Sequence, residues 1–276
     1  MAAAYDPARH YDRVTAAWTL LLGRDLHYGL FFSGTEDLTS ATAALTECMT
    51  RACRIEPGVE VLDVGCGTGG PACHLAARHG ARVTGITTSA VGLEAARRTA
   101  AAQGLESVVS FERRDGTDNG FAEETFDRVW VLESSHLMRR RERLLSESAR
   151  VLKRGGWFAL CDIVLRRPMD LGEVRRLRRP LALLREAFGD ARMEPLDRYA
   201  EHARHSGLTV EEQLDLTELT RPTFRHWREN AHRHREAVVA QLGEPEWQRF
   251  VEACSVLERF WDGGTLGYGL LTARKD

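Results

Sequence analysis

The run Val61-Leu62-Asp63-Val64-Gly65-Cys66-Gly67-Thr68-Gly69-Gly70 constrains this chain more than any other stretch. A short apolar segment ends on an acid and passes at once into glycines. Pro71-Ala72-Cys73-His74-Leu75-Ala76-Ala77 then opens a helix. This is the pattern of a buried parallel strand, a tight turn and a helix N-terminus. Glycine, lacking Cβ, adopts positive φ at little cost and lets a ligand approach the backbone. The free N–H groups of a helix start favour anionic groups.

Strand signals at 59–64, 81–86, 108–113, 126–132 and 156–165 alternate with helix signals at 71–79, 89–103 and 141–152. Gly80, Gly104 and Gly155-Gly156 stand where those helices should stop. Alternation at this pitch predicts a mostly parallel sheet with helices on both faces. Upstream, Tyr11, Val14, Trp18, Leu21 and Leu22 fall at helical spacing, and Thr39 or Ser40 can cap a helix running to Arg54. The aromatic stretch Leu26-His27-Tyr28-Gly29-Leu30-Phe31-Phe32 reads either as a loop packed on the core or as a lid over a ligand. After Pro168 the rhythm changes. Residues 171–205 look helical and Arg-rich, 208–217 return to strand, 222–262 look helical with aromatics, and 266–272 form a last strand. The economical organisation is one α/β domain of seven strands. Its parts are an N-terminal helical lid (1–56), a core (57–167), a helical cap inserted over the strands' carboxyl ends (168–205 and 221–263) and closing strands (206–220 and 264–276).

At 276 residues the chain suits one enlarged domain, and 43% hydrophobic with 28% charged residues is ordinary for a soluble protein. No apolar run approaches the roughly 18 residues of a membrane span, and the start lacks the regions of a signal peptide. A net charge of -2 gives no general attraction to nucleic acid or a membrane surface. The six cysteines contain no C-x-x-C pair, so reduced, packed thiols and a cytoplasmic location are expected. Whether the chain forms a homo-oligomer stays open.

Gly65, Gly67 and Gly70 satisfy G-x-G-x-x-G, the fingerprint of dinucleotide folds. Two details argue against a nicotinamide cofactor. Asp63 precedes the first glycine by two residues, which that fingerprint does not require. The second strand ends at Thr87, where such a fold needs a ribose-binding acid. Ligands in these sheets bind beyond the strands' carboxyl ends, so the groups that follow each strand matter most. Ser89 caps the next helix, and Thr87 or Thr88 can reach a ribose hydroxyl. Arg114-Asp115-Gly116 offers a carboxylate for an adenine amino group, or merely a turn aspartate. Leu132-Glu133-Ser134-Ser135-His136 follows the fourth strand, while Asp162 lies inside the apolar fifth. Buried acids are rare unless paired. Neighbouring strands bring His136 and Asp162 together as a base oriented by a carboxylate.

Four runs, L-H-Y-G at 26–29, D-V-G-C-G-T-G-G at 63–70, G-I-T-T-S at 85–89 and L-E-S-S-H-L-M at 132–138, carry a resemblance. With the tail from Gly267 to Lys275, they resemble class I S-adenosylmethionine-dependent small-molecule methyltransferases of the rebeccamycin sugar O-methyltransferase and tocopherol methyltransferase type. The resemblance implies a Rossmann-like fold and S-adenosyl-L-methionine as cofactor. It implies that Tyr28 packs near the methionine moiety, that Asp63 orients its amino group and that Gly65, Gly67 and Gly69 wrap it. Asp115 beside Gly116 would take the adenine, the Leu132 carbonyl would accept the cofactor amine, and His136 with Asp162 would be the base pair. There are departures: Gly92 stands where the family has a ribose-binding glutamine, Asn119-Gly120-Phe121 replaces L-P-F, and Leu137 replaces a second histidine.

These readings predict O-methylation of a small natural-product metabolite. Two alternatives remain: C- or N-methylation, for example of a prenyl diphosphate held by Arg175, Arg176, Arg178 and Arg179, and a methyltransferase fold that binds or cyclises a metabolite without methyl transfer. Arg139 to Arg143 read as a solvated helix start. His226, His232 and His234 lack an acid or cysteine to complete a metal set, so no metal is expected.

Overall fold

The computed structural model describes residues 6–276; the start read for a signal peptide falls largely outside them. Seven strands, β1 (Glu60–Val64), β2 (Arg82–Thr87), β3 (Val109–Arg113), β4 (Phe126–Leu132), β5 (Leu152–Leu165), β6 (Leu208–Asp215) and β7 (Leu266–Lys275), form one sheet. Their order is β3-β2-β1-β4-β5-β7-β6. Only β7 runs antiparallel to its neighbours. Strand order reverses between β1 and β4, which opens the ligand crevice of a doubly wound sheet there.

The helices are α1 (Pro7–Leu21), α2 (Leu38–Ala52), α3 (Gly70–His79), α4 (Ala90–Ala102), α5 (Arg141–Val151), α6 (Leu171–Arg176), α7 (Arg178–Phe188), α8 (Leu196–His205), α9 (Thr217–Thr220), α10 (Thr223–Arg233), α11 (Arg235–Leu242) and α12 (Glu244–Asp262). Central strands are apolar on both sides because both faces are covered. Val61, Val83, Phe111 and Trp130 pack under α2, α3 and α4, and that core runs on into α1, α10 and α12. Leu62, Val129, Val131, Phe158 and Leu160 pack on the other face under α5 and α8. No helix among the described residues is long and apolar enough to cross a membrane.

Three local expectations need correction. Asp37, rather than Thr39 or Ser40, caps α2, its Oδ1 accepting from the Ser40 N–H at 2.7 Å. A carboxylate is the stronger acceptor beside the positive end of a helix. α5 ends at Val151, short of Gly155, because β5 already begins at Leu152 and the glycine turns within it at φ 73°. Finally, α8 is no part of a cap. Tyr199, Ala200 and Ala203 are fully buried in the core with Leu144, Phe158 and Leu160. A cluster of one large and two small side chains on one face lets the helix sit close on the sheet.

Candidate active site

Two adjoining cavities lie beyond the carboxyl ends of the strands. The larger, about 410 Å³, is lined by Gly65, Gly67, Thr68, Thr87, Thr88, Ser89, Gly92, Asp115, Gly116, Glu133 and Ser134, with Pro7, Ala8, Tyr11 and Thr15 of α1 facing them. The smaller, about 120 Å³, is lined by His136 with Trp18, Leu22, Tyr28, Leu181, Leu184, Phe188, Trp227 and Leu257. Tyr11, Leu26 and Glu133 belong to both.

The floor of the larger cavity is a backbone cradle. The Gly65 and Cys66 N–H groups both donate to the Ile86 carbonyl at 2.9 and 3.0 Å, which ties the turn to β2. Gly65 has φ 85°, and a Cβ there would come within 2.2 Å of Ser134 Cβ. That serine is itself fixed, its Oγ donating to the Val64 carbonyl at 2.7 Å. Gly67 lines the cavity, whereas Gly69 does not. Gly69 starts α3 at φ 78° and lets it pass Phe111 and Ala96 closely.

The polar residues read from the strand ends fall mostly in this cavity. Asp63 is buried at the end of β1, and its Oδ2 has no hydrogen-bond partner among the described residues. Burial pushes its carboxyl up to about 7, so an incoming ammonium would both satisfy that oxygen and restore its charge. Asp115 is a turn aspartate, its Oδ1 accepting from the Thr117 N–H and hydroxyl at 2.8 Å, and it also lines the cavity. Leu132, buried at the end of β4, is not among the lining residues, and Tyr28 lines the smaller cavity rather than the larger. Tyr28 sits in an aromatic cluster, stacked on Trp261 at 5.6 Å and tilted against Trp227 at 4.7 Å.

Where the resemblance expects a glutamine, Gly92 donates its N–H to Ser89 Oγ at 2.9 Å. Asp12 on α1 accepts from Ser89 Oγ at 2.5 Å and from the Val91 N–H at 3.1 Å, which pins the roof to the start of α4. Nothing in the local pattern of α1 marks this contact.

His136 follows β4 in a short 3₁₀ turn, Ser135–Leu137. Its Nδ1 bonds Asp162 Oδ1 at 2.6 Å, and Asp162 also accepts from the backbone N–H groups of His136 and Ile163 and from the Ser135 hydroxyl. Burial alone would raise the Asp162 carboxyl; the His136 ring and these donors outweigh it and hold the group below its ordinary value. With Nδ1–H committed to the carboxylate, the neutral ring has its lone pair on Nε2. The turn that carries the ring is fixed as well. The buried Arg141 donates to Tyr199 Oη at 3.1 Å and to the His136 carbonyl at 3.3 Å, and Tyr199 Oη lies 2.9 Å from Ser135 Oγ. Arg141 therefore departs from the solvated helix start expected of Arg139 to Arg143; Arg139 and Arg140 lie on the rim of the larger cavity.

Glu133 is the residue that strand-by-strand reading passes over. It holds φ 49° directly after β4, and its Oε1 accepts from the Tyr28 N–H at 2.8 Å and from the Tyr268 hydroxyl. Burial pushes its carboxyl up to about 8. The signal is in the chain: an acid directly after an apolar strand, the same pattern that singles out Asp63. The arginines at 175, 176, 178 and 179 are exposed and line neither cavity. Far from both cavities, Glu47 Oε1 bonds His74 and His79 Nε2 at 2.6 and 3.0 Å, a cluster that holds α2 against α3.

The Cβ-free cradle, the unpartnered buried acid two residues before it and the Asp115 carboxylate in the cavity wall fit S-adenosylmethionine. Comparison with known proteins agrees. The family model for mycolic acid cyclopropane synthetases matches residues 2–262. A 27-O-demethylrifamycin SV methyltransferase of Amycolatopsis mediterranei is 33% identical over 96% of this chain and 95% of its own. A [4+2]-cyclase, SpnF, superposes with TM-score 0.82 at 27% identity, covering 97% of this chain and 95% of that one. A mycolic acid cyclopropane synthase crystallised with S-adenosylhomocysteine superposes at 0.88 with 19% identity, over 97% and 96%, which shows the shared fold. The chain belongs to the mycolic acid cyclopropane synthetase family and is an S-adenosylmethionine-dependent methyltransferase.

Proposed function

We propose that this enzyme O-methylates a small, largely apolar, hydroxylated natural-product metabolite in the cytoplasm, with His136 as general base and Asp162 as its positioning partner. The observation that carries the reading is the 2.6 Å bond from His136 Nδ1 to a fully buried carboxylate, in a ring that lines an apolar cavity beside the cofactor cradle. When bound, S-adenosylmethionine supplies an electrophilic methyl group on a sulfonium. The protein's residues do the rest. Asp63 and the Gly65–Gly67 turn would hold the methionine end, Thr87 and Thr88 the ribose, and Asp115 the adenine. Trp18, Leu181, Leu184 and Phe188 exclude water from the acceptor and fix its pose. His136 Nε2 takes the hydroxyl proton as the oxygen attacks, and Asp162 stabilises the imidazolium.

Alignment of the two partners can supply on the order of 7–11 kcal/mol, and the base about 10²–10⁴-fold. A relative one-third identical is named for methylating an O-demethylated rifamycin, which supports oxygen as the methylated atom and a rifamycin-like acceptor. The exposed cap arginines give no support to a diphosphate substrate.

The test uses a panel of hydroxylated polyketides with isotopically labelled methyl donor, with mass spectrometry locating the label. His136→Ala is expected to lower kcat about 10²–10⁴-fold and to leave the Kd for S-adenosylmethionine unchanged. An unchanged kcat removes the histidine from the mechanism, and label on carbon or nitrogen removes the O-methyl assignment.

A further inference from the structure

Glu133 stands at the wall between the two cavities, and any methyl group passing from one to the other crosses that wall. Its hydrogen-bond donors are the Tyr28 N–H and the Tyr268 hydroxyl, and neither carries a positive charge. Among the described residues no cationic side chain bonds it. Asp162 on the neighbouring strand adds negative charge nearby. The backbone holds Glu133 in the left-handed region, with its N–H donating to the Cys161 carbonyl at 2.9 Å. Non-glycine residues rarely adopt that conformation, so the fold maintains this carboxyl at the junction against local preference. A half-buried carboxyl at the wall of an apolar cavity with no cation beside it carries a desolvation cost, and the missing cation arrives with the cofactor.

We infer that Glu133 discriminates the cationic methyl donor from its neutral product, holding S-adenosylmethionine more tightly than S-adenosylhomocysteine. The inference rests on the reading that the cofactor fills the larger cavity with its methyl end toward the smaller. Transfer moves the methyl from sulfur to the acceptor oxygen and that oxygen's proton to His136. The S–CH₃ bonding pair stays on sulfur, which becomes a neutral thioether. The charge that Glu133 favours is then gone from the cofactor, and the spent molecule is held less tightly.

The groups that face Glu133 are Tyr28 on the loop before α2, Cys161 and Asp162 on β5, Tyr268 on β7, His136 on the turn after β4 and Tyr11 on α1. In the free enzyme burial pushes the Glu133 carboxyl up to about 8, with Asp162 adding to the rise. A cation favours the ionised form. The preference for S-adenosylmethionine therefore grows as pH rises through 8 and levels off above it. Asp63 also titrates in this range, up at about 7. The two ligands differ only at sulfur, so its effect divides out of their ratio.

The experiment measures both Kd values by calorimetry on the wild-type chain and on Glu133→Gln, from pH 6.5 to 9 in about half-unit steps. The ratio Kd(S-adenosylhomocysteine)/Kd(S-adenosylmethionine) is expected to rise with pH in the wild type. In the variant it should be flat and about tenfold lower at the alkaline end. Equal ratios in the two proteins, with both ligands bound, overturn the inference and leave the cofactor reading standing. Failure of S-adenosylmethionine to bind the wild type overturns both. Should Glu133→Gln not fold, the wild-type series decides alone, and a ratio independent of pH rejects the proposal.

Discussion

The two cavities are built by opposite means. The larger has a floor of backbone and short polar side chains within a few residues of the ends of β1, β2, β3 and β4, with the start of α1 facing it. The smaller is made of large apolar side chains that α1, α7, α10 and α12 bring from positions 11 to 257. A site built from strand ends inherits its geometry from the sheet. A site built from packed helices inherits it from the cap, and its contents can change without disturbing the cradle. One scaffold can thereby keep its cofactor while relatives differ in acceptor.

Gly65→Ala breaks the contrast most severely. The alanine would need φ 85° and would meet Ser134 at 2.2 Å. Affinity for S-adenosylmethionine is expected to fall about 100-fold or more by calorimetry, with circular dichroism showing the sheet intact. Phe188→Ala tests the other side. Phe188 packs on Trp18 at 6.0 Å and Phe250 at 5.7 Å and lines the smaller cavity. It should raise KM for the acceptor about tenfold or more while the Kd for S-adenosylmethionine stays constant; a matching loss of cofactor affinity would show that the cavities are not independent. Asp12→Ala is the mildest. Losing the carboxylate that accepts from Ser89 and Val91 removes about 1 kcal/mol of capping, which predicts about fivefold weaker cofactor binding and an unchanged acceptor KM.

The same contrast explains what the sequence discloses. The cradle is local: Asp63, Gly65, Thr87 and Asp115 all follow an apolar run that breaks into glycine, threonine or acid, and chain order gives their place. His136 and Asp162 are also legible, because adjacency of β4 and β5 brings together a position just past β4 and one within β5, 26 residues apart. Tyr28 is given a cofactor role only by analogy with the family, and the loop that carries it turns its ring into the aromatic cluster under α10 and α12. Asp12 and Arg141 are hidden for a different reason. On the helix pattern alone each reads as a solvent-facing charge, and only the docking of α1 on α4 and of α8 on α5 gives them partners 77 and 58 residues away. Tertiary docking of helices leaves no periodic trace in the chain.

The central claim is that residues at the ends of β1 to β3 cradle the cofactor so that its sulfur meets the wall shared with the His136 cavity. A crystal structure of the enzyme with S-adenosylhomocysteine tests it directly. The account predicts the amino group at Asp63, the adenine at Asp115 and the sulfur beside Glu133, with an open path to His136 Nε2. A nucleoside bound elsewhere, or a sulfur separated from His136 by protein, would contradict it.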